Sequence, residues 1–192
     1  MLEQYNMKIM ETTKWIIDST HSEFTFKVKK LMVTTVTGNL EVFEGEIETV
    51  SNKFELIKNI NFKANVNSIK TDDAQRDEHL KSADFFDMEA YPDIKFSSKS
   101  YNVMDREIEG ELTIRNITKP VVFDVDFSEK AAGGVNEQST VGLSISGKVN
   151  RKDFGLSWNG RNKAGDIIVG DDVKLYAEVQ FVKQTENANQ EV

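Results

Sequence analysis

Read in steps of two, this chain separates into an apolar and a polar phase over most of its length, the pattern of β-strands with one dry face and one wet face. The runs are Phe24/Phe26/Val28, Ile60/Phe62/Ala64/Val66, Ile94/Phe96, Leu112/Ile114, Val121/Phe123/Val125/Phe127, Val141/Leu143/Ile145 with Val149, and Val173/Leu175/Ala177/Val179/Phe181. Each is interleaved with Lys, Asp, Glu, Asn or Ser, and with Val36 to Ile47 they predict eight strands. A chain of 192 residues fits one all-β core without a second domain.

Local signals refine this outline. Between Leu40/Val42 and Phe43/Ile47 the apolar phase changes beside Gly45, as a β-bulge in a bending strand requires. Pro92 and Pro120 are read as strand entries, where a missing N–H does not harm the ladder. Turns are expected at Thr37-Gly38-Asn39, around Gly133-Gly134 within Ala131 to Thr140, and over Ser157 to Asp172, long enough to act as a lid. Thr71 to Phe86 departs from the period of two. It predicts one short helix carrying Ala74, Leu80 and Ala83, capped by Thr71, Asp72 or Asp73. The domain is expected over 14–183, between a flexible N-terminus over 1–13 and a disordered tail over 184–192, whose composition is polar and aperiodic.

Composition narrows the chemistry. With no cysteine and two histidines, His21 and His79, the chain has no disulfide, no thiolate metal site and few acid–base groups. Asp72, Asp73, Asp77, Glu78 and His79 follow neither EF-hand nor zinc spacing, and Gly142-Leu143-Ser144-Ile145-Ser146 is not a nucleophile elbow. Neither a metal, a cofactor nor a catalytic residue is expected. A net charge of −8 disfavours nucleic acid and anionic headgroups, which argues for a freely diffusing binder. No run reaches the roughly 18 apolar residues of a membrane span. Met1 to Lys14 lacks the apolar core of a secretory signal, so the expected location is cytoplasmic. Whether translation starts at Met1 or Met7 stays open.

Several motifs converge on one family. They begin with Trp15-Ile16-Ile17-Asp18, His21-Ser22 and Phe24-Thr25-Phe26, and continue through Val36-Thr37-Gly38, Ser68-Ile69-Lys70-Thr71-Asp72 and Arg76-Asp77-Glu78-His79-Leu80. Asp84-Phe85-Phe86-Asp87, Tyr91-Pro92 and Phe96-Ser97-Ser98 follow, then Gly110-Glu111-Leu112-Thr113-Ile114 with Thr118-Lys119-Pro120-Val121. Asn150-Arg151-Lys152-Asp153-Phe154-Gly155-Leu156 and Val169-Gly170-Asp171-Asp172-Val173 complete the set. From about Lys14 to Lys183 the chain resembles the YceI-like family, the lipocalin-like polyisoprenoid-binding proteins of bacteria. It departs from them in carrying Lys29-Lys30 where members commonly have a His, and in lacking the export signal that many carry.

The resemblance implies an antiparallel eight-stranded lipocalin-like barrel with the helical insertion around residues 71–86. An interior of that size either fills with side chains or holds one small ligand, and the strand pattern leaves both open. As a tunnel it would be walled by the inward phase: Phe24, Phe26, Phe62, Val66 and Phe96 from the first half, then Leu112, Ile114, Phe123, Val125, Phe127, Leu143, Ile145, Leu175 and Phe181. Arg76, His79, Arg151 and Trp158 would meet a polar head at the mouth. Arg76 and Asp77 could instead pin the insertion to the barrel, Trp158 could be a plug, and His21 could be a hydrogen-bonded turn residue. The function this implies is non-enzymatic: sequestration or transfer of an isoprenoid quinone, a polyprenyl phosphate or a fatty amphiphile, with a homodimer left open. The alternative is a packed barrel serving as a stress-related interaction module or as an enzyme of unrecognised type.

Overall fold

The structure, a computed structural model, describes residues 11–51, 53–128, 139–160, 163 and 168–184. In chain order the strands are β1 (Thr12–Ile17), β2 (Glu23–Lys30), β3 (Thr34–Leu40), β4 (Phe43–Val50), β5 (Lys53–Asn65) and β6 (Ile69–Thr71). After the helix α1 (Ala74–Lys81) come β7 (Asp93–Ser98), β8 (Glu107–Ile114), β9 (Ile117–Ser128), β10 (Thr140–Asn150) and β11 (Val169–Lys183). Neighbours run β1-β4-β5-β7-β8-β9-β10-β11, and a β11–β1 pairing closes these eight into an antiparallel barrel. Closure removes most of the free edge that an open sheet would expose, leaving the start of β9 unpaired on its β10 side.

Three chain lengths bend as they cross the barrel: the expected run Val36 to Ile47 divides into β3 and β4, and β1 and β6 lie outside the expected runs. β1 and β2 both pair with β11, through Ile17 opposite Phe181 and Phe24 opposite Ala177. Between them Asp18 caps the 3-10 turn Ser19–His21, accepting from the Thr20 N–H at 3.0 Å and contacting His21 Nδ1 at 2.8 Å. These hydrogen bonds, Thr20 first and His21 next, hold the Asp18 carboxyl at about 2. β5 likewise turns into β6 through the 3-10 turn Val66–Ser68, capped by Asn65. β3 and β4 join at Glu41–Val42, and there the apolar phase changes, leaving Val42 exposed. Gly45 itself is in register opposite Phe62, so the bulge expected beside it lies elsewhere.

Other expectations are corrected. Thr37-Gly38-Asn39 is not a turn: Gly38 lies within β3 opposite Phe26, and the turn is at 31–33. Pro120 sits inside β9 opposite Glu111, where it is tolerated because the β9–β10 register is confined to Asp124–Ser128 and that edge is unpaired. Pro92 does precede β7. The N-terminal segment is ordered as strand from Thr12, not from Lys14. Gly133-Gly134, most of the tail, and residues 161–162 and 164–167 of the long loop lie outside the described residues. The helix is shorter than the expected span, and Asp73 is its cap, accepting from the Arg76 N–H at 3.0 Å. Among the described residues no helix is long and apolar enough to cross a membrane.

Two apolar clusters sit at opposite ends of the barrel. One gathers Trp15, Phe54, Val125, Val141 and Val179, the other Val66, Ile69, Phe85, Phe154 and Leu156 beneath α1 and the β10–β11 connection. Phe96 packs against both, across the space between them.

Candidate functional site

The barrel is not filled. A cavity of about 630 Å³ runs between the two clusters, within the roughly 300–1,000 Å³ typical of small-molecule sites. Its floor is solid. Trp15, fully buried, donates from Nε1 to Thr49 Oγ1 at 3.1 Å and packs on Phe54 at 4.8 Å between ring centres. Phe127 packs tilted against Phe54 and T-shaped against Tyr101, with ring centres 5.5 and 4.9 Å apart.

The wall is apolar because each strand turns its apolar phase inward. Phe24, Phe26 and Phe62 line one side, with Phe24 and Phe62 ring centres 4.3 Å apart. Phe96 and Phe123 line another, 5.4 Å apart. Leu112, Ile114, Leu143, Ile145, Leu175 and Phe181 fill in between. Space survives among so many rings because three of them lie across glycines. A β-carbon on Gly38 would come 2.3 Å from the Phe26 ring, one on Gly147 the same from Phe123, and one on Gly110 2.5 Å from Phe96. The rings therefore lie along the wall instead of filling the centre.

Three expected wall residues are elsewhere. Val66 belongs to a 3-10 turn, not a strand, and is buried in the cluster beneath α1. Val125 and Phe127 do point inward from β9, but into the floor cluster. The alternation could also not single out Ile60, Ile108, Val149 and Leu156, which line the cavity. Ile60, Ile108 and Val149 are strand residues whose depth along the barrel alternation does not give, whereas Leu156 follows the 3-10 turn Arg151–Phe154 and has no strand phase.

All four expected mouth residues border the cavity, with different occupations. Arg151 is buried and its five N–H donors are spent on the chain itself. Nε donates to Gly170 O at 2.9 Å, and Nη1 to Leu156 O and, at 2.8 Å, to Trp158 O. Nη2 reaches Val169 O at 3.3 Å and Asp171 Oδ1 at 3.4 Å. Burial lowers its pKa and the Asp171 carboxylate opposes that. Arg151 is a clamp on the chain around Leu156–Asp171, and no donor remains for a head group.

Arg76 is half-buried at the start of α1. Its Nε donates to Thr71 Oγ1 at 2.8 Å, its Nη1 lies 3.9 Å from Asp73, and its Nη2 has no protein partner among the described residues. Asp77 does the pinning, accepting from both the N–H and the hydroxyl of Thr71. His79 stands edge-on to Trp158 and Phe85 at 4.7 and 5.1 Å, with Nε2 3.1 Å from Asp84. Lys29 and Lys30, at the end of β2, also border the opening and make no ion pair among the described residues. Lys30 continues the inward phase of Phe24, Phe26 and Val28, a signal present in the sequence. Among the described residues no group of three His, Asp or Glu side chains is placed to hold a metal ion.

A YceI-like domain model matches residues 15–181, nearly the whole barrel. The UPF0312 protein SA2479 of Staphylococcus aureus is 33% identical over 171 residues, covering 88% of this chain and 97% of that protein. The chain belongs to the YceI-like family. Among solved structures, the YCEI protein of Campylobacter jejuni is 28% identical with a TM-score of 0.68, covering 82% of this chain and 90% of that one. BcnA of Burkholderia cenocepacia, at 18% identity, shares the fold with a TM-score of 0.71 over 85% and 98% of the two chains. A polyisoprenoid binding domain from Saccharophagus degradans does so at 11% identity and TM-score 0.64, over 88% and 98%. In this YceI-like chain Lys29 and Lys30 border the cavity opening.

Proposed function

We propose that this chain binds one amphiphile, its hydrocarbon tail of isoprenoid type in the cavity and its anionic head at Lys29, Lys30 and Arg76, and that it sequesters or transfers that molecule without chemical change. The observation that carries this reading is the apolar cavity of about 630 Å³, floored at one end and bordered at the other by Lys29 and Lys30, which make no ion pair among the described residues, and by Arg76, whose Asp73 contact is long at 3.9 Å. At about 30 Å³ per non-hydrogen atom, a water's share of liquid volume, the space takes about twenty atoms, or about four five-carbon units. Each such unit contributes about 3–4 kcal/mol of transfer free energy, so a tail this long binds even after the ordering and immobilisation terms are subtracted. The fold shared with a polyisoprenoid binding domain supports the tail class.

The cations favour phosphate or carboxylate over a neutral quinone head. Titrating the purified protein with geranylgeranyl phosphate, geranyl phosphate and a neutral prenyl quinone of matched tail tests both halves. The expected order is the longer phosphate first, with the shorter tail and the neutral head each weaker. Equal affinity for all three, or none for any, overturns the reading.

A further inference from the structure

The turn between β2 and β3 places two bulky apolar residues where backbone conformation favours asparagine and glycine. Leu31 and Met32 have φ of 51° and 57°, and the Val33 N–H donates to Lys30 O at 3.1 Å. Positive φ at both central positions marks the hairpin turn that selects Asn-Gly. The β8–β9 turn has the same feature, φ of 50° and 60° at Arg115 and Asn116, and fills it with polar residues. Leu31, Met32 and Val33 are 40%, 78% and 78% exposed, so the strained residues add little to the core. The Leu31 N–H donates to Ile168 O at 2.8 Å, and Lys29, Lys30 and Ile168 all border the cavity, so the tip stands on its rim. Although the whole chain carries −8, the charged residues bordering the cavity among the described residues are Lys29, Lys30, Arg76 and the internally satisfied Arg151 against one carboxylate, Asp73.

We propose that the Leu31-Met32-Val33 tip inserts into the interfacial layer of an anionic lipid bilayer, with Lys29 and Lys30 on the headgroup phosphates, and so sets the cavity opening against the membrane. An apolar wedge flanked by cations is what interfacial binding uses, apolar burial and electrostatic attraction adding together. The docking deepens the carrier reading, yet the two fail separately: vesicle binding by the ligand-free protein does not depend on what the cavity accepts.

The test is co-sedimentation of the ligand-free full chain with vesicles of phosphatidylcholine alone or mixed with phosphatidylglycerol. Wild type is expected on the anionic vesicles, less at high salt, and not on phosphatidylcholine alone. Leu31→Asn/Met32→Gly supplies the residues the turn prefers, so it should melt no lower than wild type while binding vesicles about tenfold less. Should that variant unfold, Val33→Ser, which leaves both strained positions untouched, carries the same test. Met104→Ser serves as the control, since Met104 is 93% exposed in the β7–β8 connection beside the floor residue Tyr101. It should bind as wild type does. Absence of wild type from anionic vesicles, undiminished binding by the tip variants, or equal loss in Met104→Ser overturns the proposal. So does a wild-type dimer that the tip variants convert to monomer with vesicle binding unchanged, which would make the tip a contact between copies.

Discussion

Gly147 lies beneath the ring of Phe123: a β-carbon added there would fall 2.3 Å from Cδ1 and 2.8 Å from Cε1 of that ring. The ring would have to swing off the wall and into the cavity. Gly147→Ala is therefore expected to shorten the tail the protein accepts, shifting preference from a tail of about four five-carbon units towards about two, at a stability loss of about 1–3 kcal/mol for overpacking. Binding across a series of prenyl phosphates, with urea unfolding of the ligand-free protein, checks both parts.

Phe123 and Phe54 separate wall from floor. Phe123 borders the cavity, whereas Phe54 is packed between Trp15 and Phe127 and does not. Phe54→Ala should carry the packed-core penalty of about 3–5 kcal/mol, and Phe123→Ala measurably less, because space already exists on one side of its ring. Chemical denaturation of the two variants side by side decides this. Equal penalties would mean that the barrel is solid at Phe123.

Arg151 holds five acceptors at once, four backbone carbonyls and Asp171. Lysine keeps the charge but not the planar fork, so Arg151→Lys should lower stability by about 3 kcal/mol and should lower the melting temperature accordingly. If instead the variant melts like wild type and loses only affinity for anionic ligands, Arg151 is a head-group ligand after all.

Asp18 titrates at about 2 in the fold, below the ordinary carboxylate value near 3.9, because Thr20 and His21 stabilise its ionised form. A depressed folded pKa stabilises the fold above the unfolded value, and that contribution is lost as pH falls from about 4 through 2. Urea midpoints measured from pH 6 to pH 2 should fall over that window, and by less in Asp18→Asn. An unchanged slope in the variant would remove Asp18 from this role.

Strand identity was legible because burial writes a period of two into residues such as Val121, Phe123, Val125 and Phe127, whose partners Val122, Asp124 and Asp126 are exposed. What alternation does not carry is depth along the barrel. Phe123 and Phe127 occupy the same phase, yet one borders the cavity and the other the floor, since that depends on barrel closure and on Trp15 and Phe54 packing from distant strands. Gly38 misled for a related reason: its missing side chain makes room for the Phe26 ring on the adjacent strand, a non-local requirement that looks locally like a turn. Arg151 read as a mouth cation because nothing in the sequence shows that its donors are occupied.

Ala177 borders the cavity from β11, opposite Ile145 and Phe24, and is the smallest side chain whose enlargement must fill that space. Native mass spectrometry of wild type and Ala177→Trp, each incubated with geranylgeranyl phosphate, reads occupancy directly. The carrier account requires a single 1:1 adduct on wild type and its loss from the folded variant. Equal adducts on both proteins, or none on wild type, would contradict it.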